Sequence, residues 1–218
     1  RQYSTARAVE FARYCSGLGA EVLMVLPPDW AQSTTPEKLA DHYAAVARHI
    51  PVMLVTNLFI PRGEAFALKT VRLTLERAAG VVAVKDDVCV EFARKLSSLV
   101  YGRWAVFSGG QKQNHLNAHP YGCDGYLSTF ITFRPDVAHR YWRAIQSADL
   151  AAAVNVIRRI DHPFFDFVKT FPGGFDACIH GMLEIYGHAK RWRRKPYYTL
   201  TDEEMERLAD FLKGLEVL

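Results

Sequence analysis

Residues 81–87 read VVAVKDD. Three valines and an alanine run into a lysine, and two aspartates follow at once. Apolar residues without alternation mark a strand buried on both faces, as in a parallel sheet covered by helices. A lysine at the end of such a strand has two ordinary settings. It can point into water, or it can stand at the mouth of a closed barrel and act as a nucleophile.

The segments on either side repeat one grammar. Upstream, EVLMVLPP (21–28) and PVMLVTN (51–57) read as short buried strands. Downstream, WAVFS (104–108) and DGYLSTFI (124–131) read the same way. Amphipathic helices are predicted at 4–16, 34–50, 64–79 and 88–100, with a short one at 111–119. Thr34, Pro36 and Glu37 supply helix-start chemistry for the second of these. Strands alternating with helices at this spacing predict βα units and a parallel sheet. After residue 135 the strands cease. Helices are predicted at 136–147, 149–169, 174–190 and 201–216, with FPGG (171–174) as a break and Asp202, Glu203 and Glu204 favouring the start of the last.

Composition sets wide bounds. The chain has 218 residues, of which 50% are hydrophobic and 23% charged, with a net charge of +4. That is an ordinary globular composition with a mild basic excess spread along the chain. Cys15, Cys89, Cys123 and Cys178 lie far apart without metal-finger or CxxC spacing, which predicts reduced thiols and a cytoplasmic setting. No apolar run approaches the ~18 residues of a membrane span. His115 and His119 have helical spacing, but no third ligand lies nearby in sequence, so no metal is expected.

The ordered segments resemble a known family, the pyruvate-dependent class I aldolases and dehydratases that include dihydrodipicolinate synthase and N-acetylneuraminate lyase. GAEVLMVLPP (19–28) is similar to that family's fourth strand, and PEKLADHYAAVARHIPVML (36–54) to the next helix and fifth strand. GVVAVKDD (80–87) resembles the sixth strand with its Schiff-base lysine. VFSGG (106–110) and GCDGYLS (122–128) resemble the seventh and eighth, and YYTLTDEEMERLADFLKGL (197–215) the closing helix. The resemblance implies an α/β fold, a TIM (β/α)8 barrel with a C-terminal helical extension. Residues 1–135 are then strands four to eight, and 136–218 the last barrel helix and the extension. The first three strands have no counterpart here, which leads us to expect about 80 further residues upstream.

The resemblance also implies the chemistry. Lys85 is the expected imine-forming nucleophile toward pyruvate or a related 2-keto acid, in an aldolase or dehydratase (a lyase) that needs no cofactor. A lysine amine adds to a ketone only when neutral, and an apolar barrel mouth favours that form. The family's fifth-strand tyrosine is missing. Val55 or Thr56 stands at its place, depending on alignment, so a divergent member is expected, with Thr56 the candidate catalytic partner although its hydroxyl is a poor proton relay. Asp29, Ser108, Gly109, Gly110, Leu127 and Ser128 are the expected substrate-binding positions. Arg62 is a candidate for a substrate carboxylate. Asp86 and Asp87 read as a solvated turn, although either could orient Lys85. The family further implies a homo-oligomer, tetramer or dimer, with neither nucleic acid nor membrane as partner. RWRRK (191–195) reads as a solvated loop. The rival reading is a relative that binds a small keto acid without turnover.

Overall fold

The computed structural model describes residues 4–215 and 217. The chain divides into two compact units, Arg1–Leu127 and Ser128–Leu218.

The first unit alternates helices and strands in chain order: α1 (Thr5–Gly17), β1 (Leu23–Val25), α2 (Pro36–Ala47), β2 (Val52–Val55), α3 (Glu64–Arg77), β3 (Val81–Asp86), α4 (Val90–Val100), β4 (Ala105–Ser108), α5 (Gln111–Ala118) and β5 (Gly125–Tyr126). The five strands form one sheet in the order β1-β2-β3-β4-β5, and every neighbouring pair is parallel. Sequential order with a helix between successive strands is one βα unit repeated. One face of the sheet carries the core. Leu54, Val84 and Val106 from the three central strands pack with Leu39, Tyr43, Val71, Phe92 and Leu96 from the helices. Ser4 caps α1 as its sequence suggests, its Oγ accepting from Arg7 N; α2 is capped by Thr35, whose Oγ1 accepts from Lys38 N, and not by the expected Thr34, whose hydroxyl donates to Asp29 instead.

The second unit is helical: α6 (Pro135–Gln146), α7 (Leu150–Val156), α8 (His162–Val168), α9 (Gly174–Ile185) and α10 (Asp202–Gly214). Phe167 stacks on Phe211 with centroids 3.8 Å apart, and Arg207 lies over Phe167 and Phe171. Thr201 and Glu204 close a full capping box on α10, and Asp202, Glu203 and Glu204 stand in its first turn as expected.

Several boundaries differ from the sequence expectation. β1 is three residues long rather than running through 21–28, because Pro27 and Pro28 cannot continue the ladder. β5 pairs with β4 only at Gly125 and Tyr126, and residues 130–132 form a 3-10 turn instead of more strand. The helix expected over 149–169 contains a π-helical stretch at Ile157–Asp161. Pro163 follows it in the first turn of α8; its ring would clash with the carbonyl four residues back, and the widened turn avoids this. α9 ends at Ile185 rather than 190, where Gly187 adopts φ 74°. The expected end of the last helix at 216 lies outside the described residues. Among the described residues no helix is long and apolar enough to cross a membrane.

His42 gives the first unit a pH signature. It is 3% exposed on α2; Nδ1 lies 3.0 Å from the Thr5 hydroxyl, and Nε2 is buried with no hydrogen-bond partner among the described residues. Burial lowers its pKa to about 4, and burial lowers that of His115 to about 4 as well. Both rings are neutral when folded and titrate near 6.5 when unfolded. Their contribution to stability is therefore complete above about pH 6.5 and is lost as pH falls toward 4, by at most about 3 kcal/mol for each. Urea denaturation at pH 7.5 and 4.5 is expected to show this loss, and His42→Asn to flatten it.

Candidate active site

The site grows from the alternation of β3. Val84 faces the helices and Lys85 faces the other way, in register with Val55 on β2 and Phe107 on β4. Lys85 Nζ lies 3.2 Å from Asp87 Oδ1, and the two side chains are 22% and 17% exposed. The pair is thus largely shielded yet open on one side. Among the described residues neither has another side-chain partner.

Gly109 makes this arrangement possible. A Cβ at Gly109 would fall 1.8 Å from Asp87 Oδ1 and 2.9 Å from Lys85 Cε. Only a residue without a side chain lets the end of β4 pass beneath the pair. The Gly109 N–H meanwhile donates to the Asp86 carbonyl at 2.7 Å, which holds the two strand ends together. Gly110 makes room in the same way at the next position, where a Cβ would lie 2.4 Å from Cys89 Sγ.

Asp86 points to the opposite face and is 1% exposed, so it is no solvated turn residue. Its Oδ1 accepts from Val88 N at 3.0 Å, Cys89 N at 3.2 Å and Thr56 Oγ1 at 3.3 Å. Its Oδ2 accepts from Asn114 Nδ2 at 3.1 Å. Asn114 Nδ2 also reaches Ser108 Oγ at 3.0 Å, and Asn114 Oδ1 accepts from Val90 N at 3.1 Å. Burial pushes the Asp86 pKa up, against the lowering effect of these hydrogen bonds. Burial, with Asp86 and Asp87 nearby, also raises the Cys89 thiol to about 12, which makes it a poor nucleophile.

The expected site residues therefore separate. Lys85 and Gly109 come together. Thr56 and Ser108 are fully buried and join the Asp86 cluster on the helix side, away from the Lys85 amine. Thr56 Oγ1 donates to Asp86 and accepts the Asp87 N–H at 2.9 Å, so it supports the loop. Asp29 is taken up elsewhere: it pairs with Arg62 at 2.5 Å and accepts from the Thr34 hydroxyl at 2.7 Å and the Thr34 N–H at 3.0 Å. Burial alone would raise its pKa, but these partners together hold it below the usual carboxylate value. Asp29 and Arg62 thus clamp two loops together, with Arg62 also stacked on Phe66. Leu127 N–H donates to the Ser108 carbonyl, and its side chain is exposed. Ser128 belongs to the second unit. His115 and His119 have ring centroids 5.1 Å apart, and among the described residues no cluster of three or more metal-ligating side chains forms.

A family model, the dihydrodipicolinate synthetase family, matches residues 2–215. The chain belongs to the dihydrodipicolinate synthetase family. Its relatives include a Rhizobium rhizogenes protein named "Probable 5-dehydro-4-deoxyglucarate dehydratase", 27% identical over 97% of this chain and 70% of its own. A Streptomyces coelicolor protein, "Probable 5-dehydro-4-deoxyglucarate dehydratase 1", is 24% identical over 99% of this chain and 70% of its own. A Pseudomonas aeruginosa crystal structure named for dihydrodipicolinate synthetase superposes with a TM-score of 0.82 at 26% identity, covering 97% of this chain and 72% of that one. A Ruminococcus gnavus sialic acid aldolase shares the fold, with a TM-score of 0.83 at 17% identity over 100% of this chain and 73% of that one. Members of the dihydrodipicolinate synthetase family are lyases on a TIM barrel followed by helices, and the parallel sheet and helical second unit of this chain accord with that architecture.

The Asp86 cluster makes a stability prediction. Asp86→Ala leaves four donors without their acceptor in a closed environment and is expected to cost about 3 kcal/mol or more. Asp87→Asn, on the partly open face, is expected to cost less than about 1 kcal/mol. Urea denaturation of the two variants beside the parent chain measures the difference.

Proposed function

We propose that this protein is a Schiff-base-forming lyase acting on pyruvate or a related 2-keto acid, with Lys85 as nucleophile. The observation that carries this reading is Lys85 itself. In a lyase family, it is a strand-end lysine turned away from the helical core, largely shielded, with a glycine floor beneath it. Its amine adds to the C2 carbonyl, water leaves, and the resulting iminium draws electrons from the bond to C3. Loss of a proton from C3 gives an enamine, which can expel a leaving group from C4. Relatives named for a dehydratase of a keto sugar acid make dehydration the first reaction to assay.

The same reading assigns β1–β5 to strands four to eight of the family barrel, with the first three strands outside this sequence. Their unbroken order, their parallel pairing and the superposition of this chain on 72% of a longer solved chain support it. Gly109 and Gly110 line the rim beside Lys85 in this assignment. A cytoplasmic homo-oligomer, tetramer or dimer, fits the family type.

One observation favours the rival reading, in which the keto acid is bound without turnover. Thr56 is tied to Asp86 and Asp87 and is not free to relay protons to an imine. Borohydride reduction in the presence of pyruvate, followed by peptide mass analysis, tests both. A reduced adduct on Lys85, lost in Lys85→Ala, is expected. Intact, folded protein with Lys85 unmodified would sink the Schiff-base reading. An adduct without turnover of any 2-keto-3-deoxy sugar acid would favour the rival.

A further inference from the structure

We propose that Asp87 is the proton-transfer group of the imine step at Lys85. The inference rests on the Schiff-base reading above and adds a catalytic residue to it.

Imine formation needs a base and an acid within reach of one nitrogen. The ammonium must lose a proton before it can attack, and the carbinolamine hydroxyl must gain one before it can leave as water. Three carboxylates lie at the ends of β1 and β3 or on the loops that follow. Asp29 is saturated by Arg62 and Thr34. Asp86 is saturated by four donors on the helix side. Asp87 alone has one oxygen at 3.2 Å from Nζ and, among the described residues, no side-chain partner but Lys85. Its position is held from two sides. Its own N–H donates to Thr56 Oγ1 at 2.9 Å, and the absent Cβ of Gly109 leaves the space that its carboxylate fills.

The proton balance closes on this one group. The Asp87 carboxylate takes a proton from the Lys85 ammonium, leaving a neutral amine and a carboxylic acid. The amine lone pair forms the C–N bond at C2 as the carbonyl π pair moves to oxygen. One proton then passes from nitrogen to that oxygen and gives the carbinolamine. The Asp87 acid protonates the hydroxyl, the C–O bond breaks toward water, and the nitrogen lone pair forms the C=N bond. The products are an iminium, one water and the Asp87 carboxylate, ready to take the proton from C3. No other reactant is required.

The experiment is the rate of borohydride trapping against pyruvate concentration for the parent chain, Asp87→Asn, Asp87→Glu and Lys85→Ala. The trapping rate at saturation is expected to fall about a hundredfold in Asp87→Asn. The half-saturating concentration should stay within about threefold, and Asp87→Glu should recover some of the rate. Urea denaturation of Asp87→Asn shows that the fold is kept. A Lys85 adduct forming as fast or faster in Asp87→Asn overturns the role of Asp87 and leaves the Schiff-base reading standing. A rate loss accompanied by an equal rise in the half-saturating concentration also overturns it, because binding would then be the role. No adduct in the parent chain removes the Schiff-base reading, and this inference with it.

Discussion

The arrangement depends on the side-to-side alternation at the end of β3. Lys85 and Asp87 project to one face of the sheet, and Asp86 between them projects to the other. A one-residue slip in register would exchange them, placing an ammonium against the helical core and a carboxylate in the open. The register is held where it matters. Lys85 pairs with Val55 and Phe107 across the two neighbouring strands, and Gly109 N–H reaches the Asp86 carbonyl just beyond the last ladder position.

Asp86 then serves as the anchor of the loop. A carboxylate closed off from water is costly unless its oxygens are satisfied. Here they receive two backbone N–H groups of the β3–α4 turn, an amide from α5 and a hydroxyl from the end of β2. Three successive βα units are thereby tied to one side chain. The turn residues Cys89 and Val90 are held at φ 71° and 54°, a conformation unfavourable for non-glycine residues that persists where surrounding contacts over-determine it. The same contacts aim Asp87 at the amine.

Much of this was legible in the sequence, and what was not has definite causes. The alternation of buried strands and helices and the family resemblance could be read from apolar runs and motif order, and so could the place of Lys85 near the end of β3. That the Thr56 and Ser108 side chains face the helices was not legible, because motif position along a strand says nothing about face. Their side chains share parity with Asp86, and only the register shows this. The face that Asp87 takes could be read from its place two residues beyond Lys85, but the adjacent aspartates looked like a solvated turn. Asp29 could not be read, because its partner Arg62 lies 33 positions away and the ion pair exists only once β1 and β2 lie side by side.

Thr56 joins the two faces. Its hydroxyl donates to the Asp86 carboxylate and accepts the Asp87 N–H, so one oxygen sits between the structural acid and the acid that meets Lys85. A hydroxyl with both its donor and acceptor capacity engaged is a poor shuttle for a third group, but it is a good spacer. Val55, one residue earlier, is in register with Lys85 and shares its face, while Thr56 orders the loop that presents Asp87.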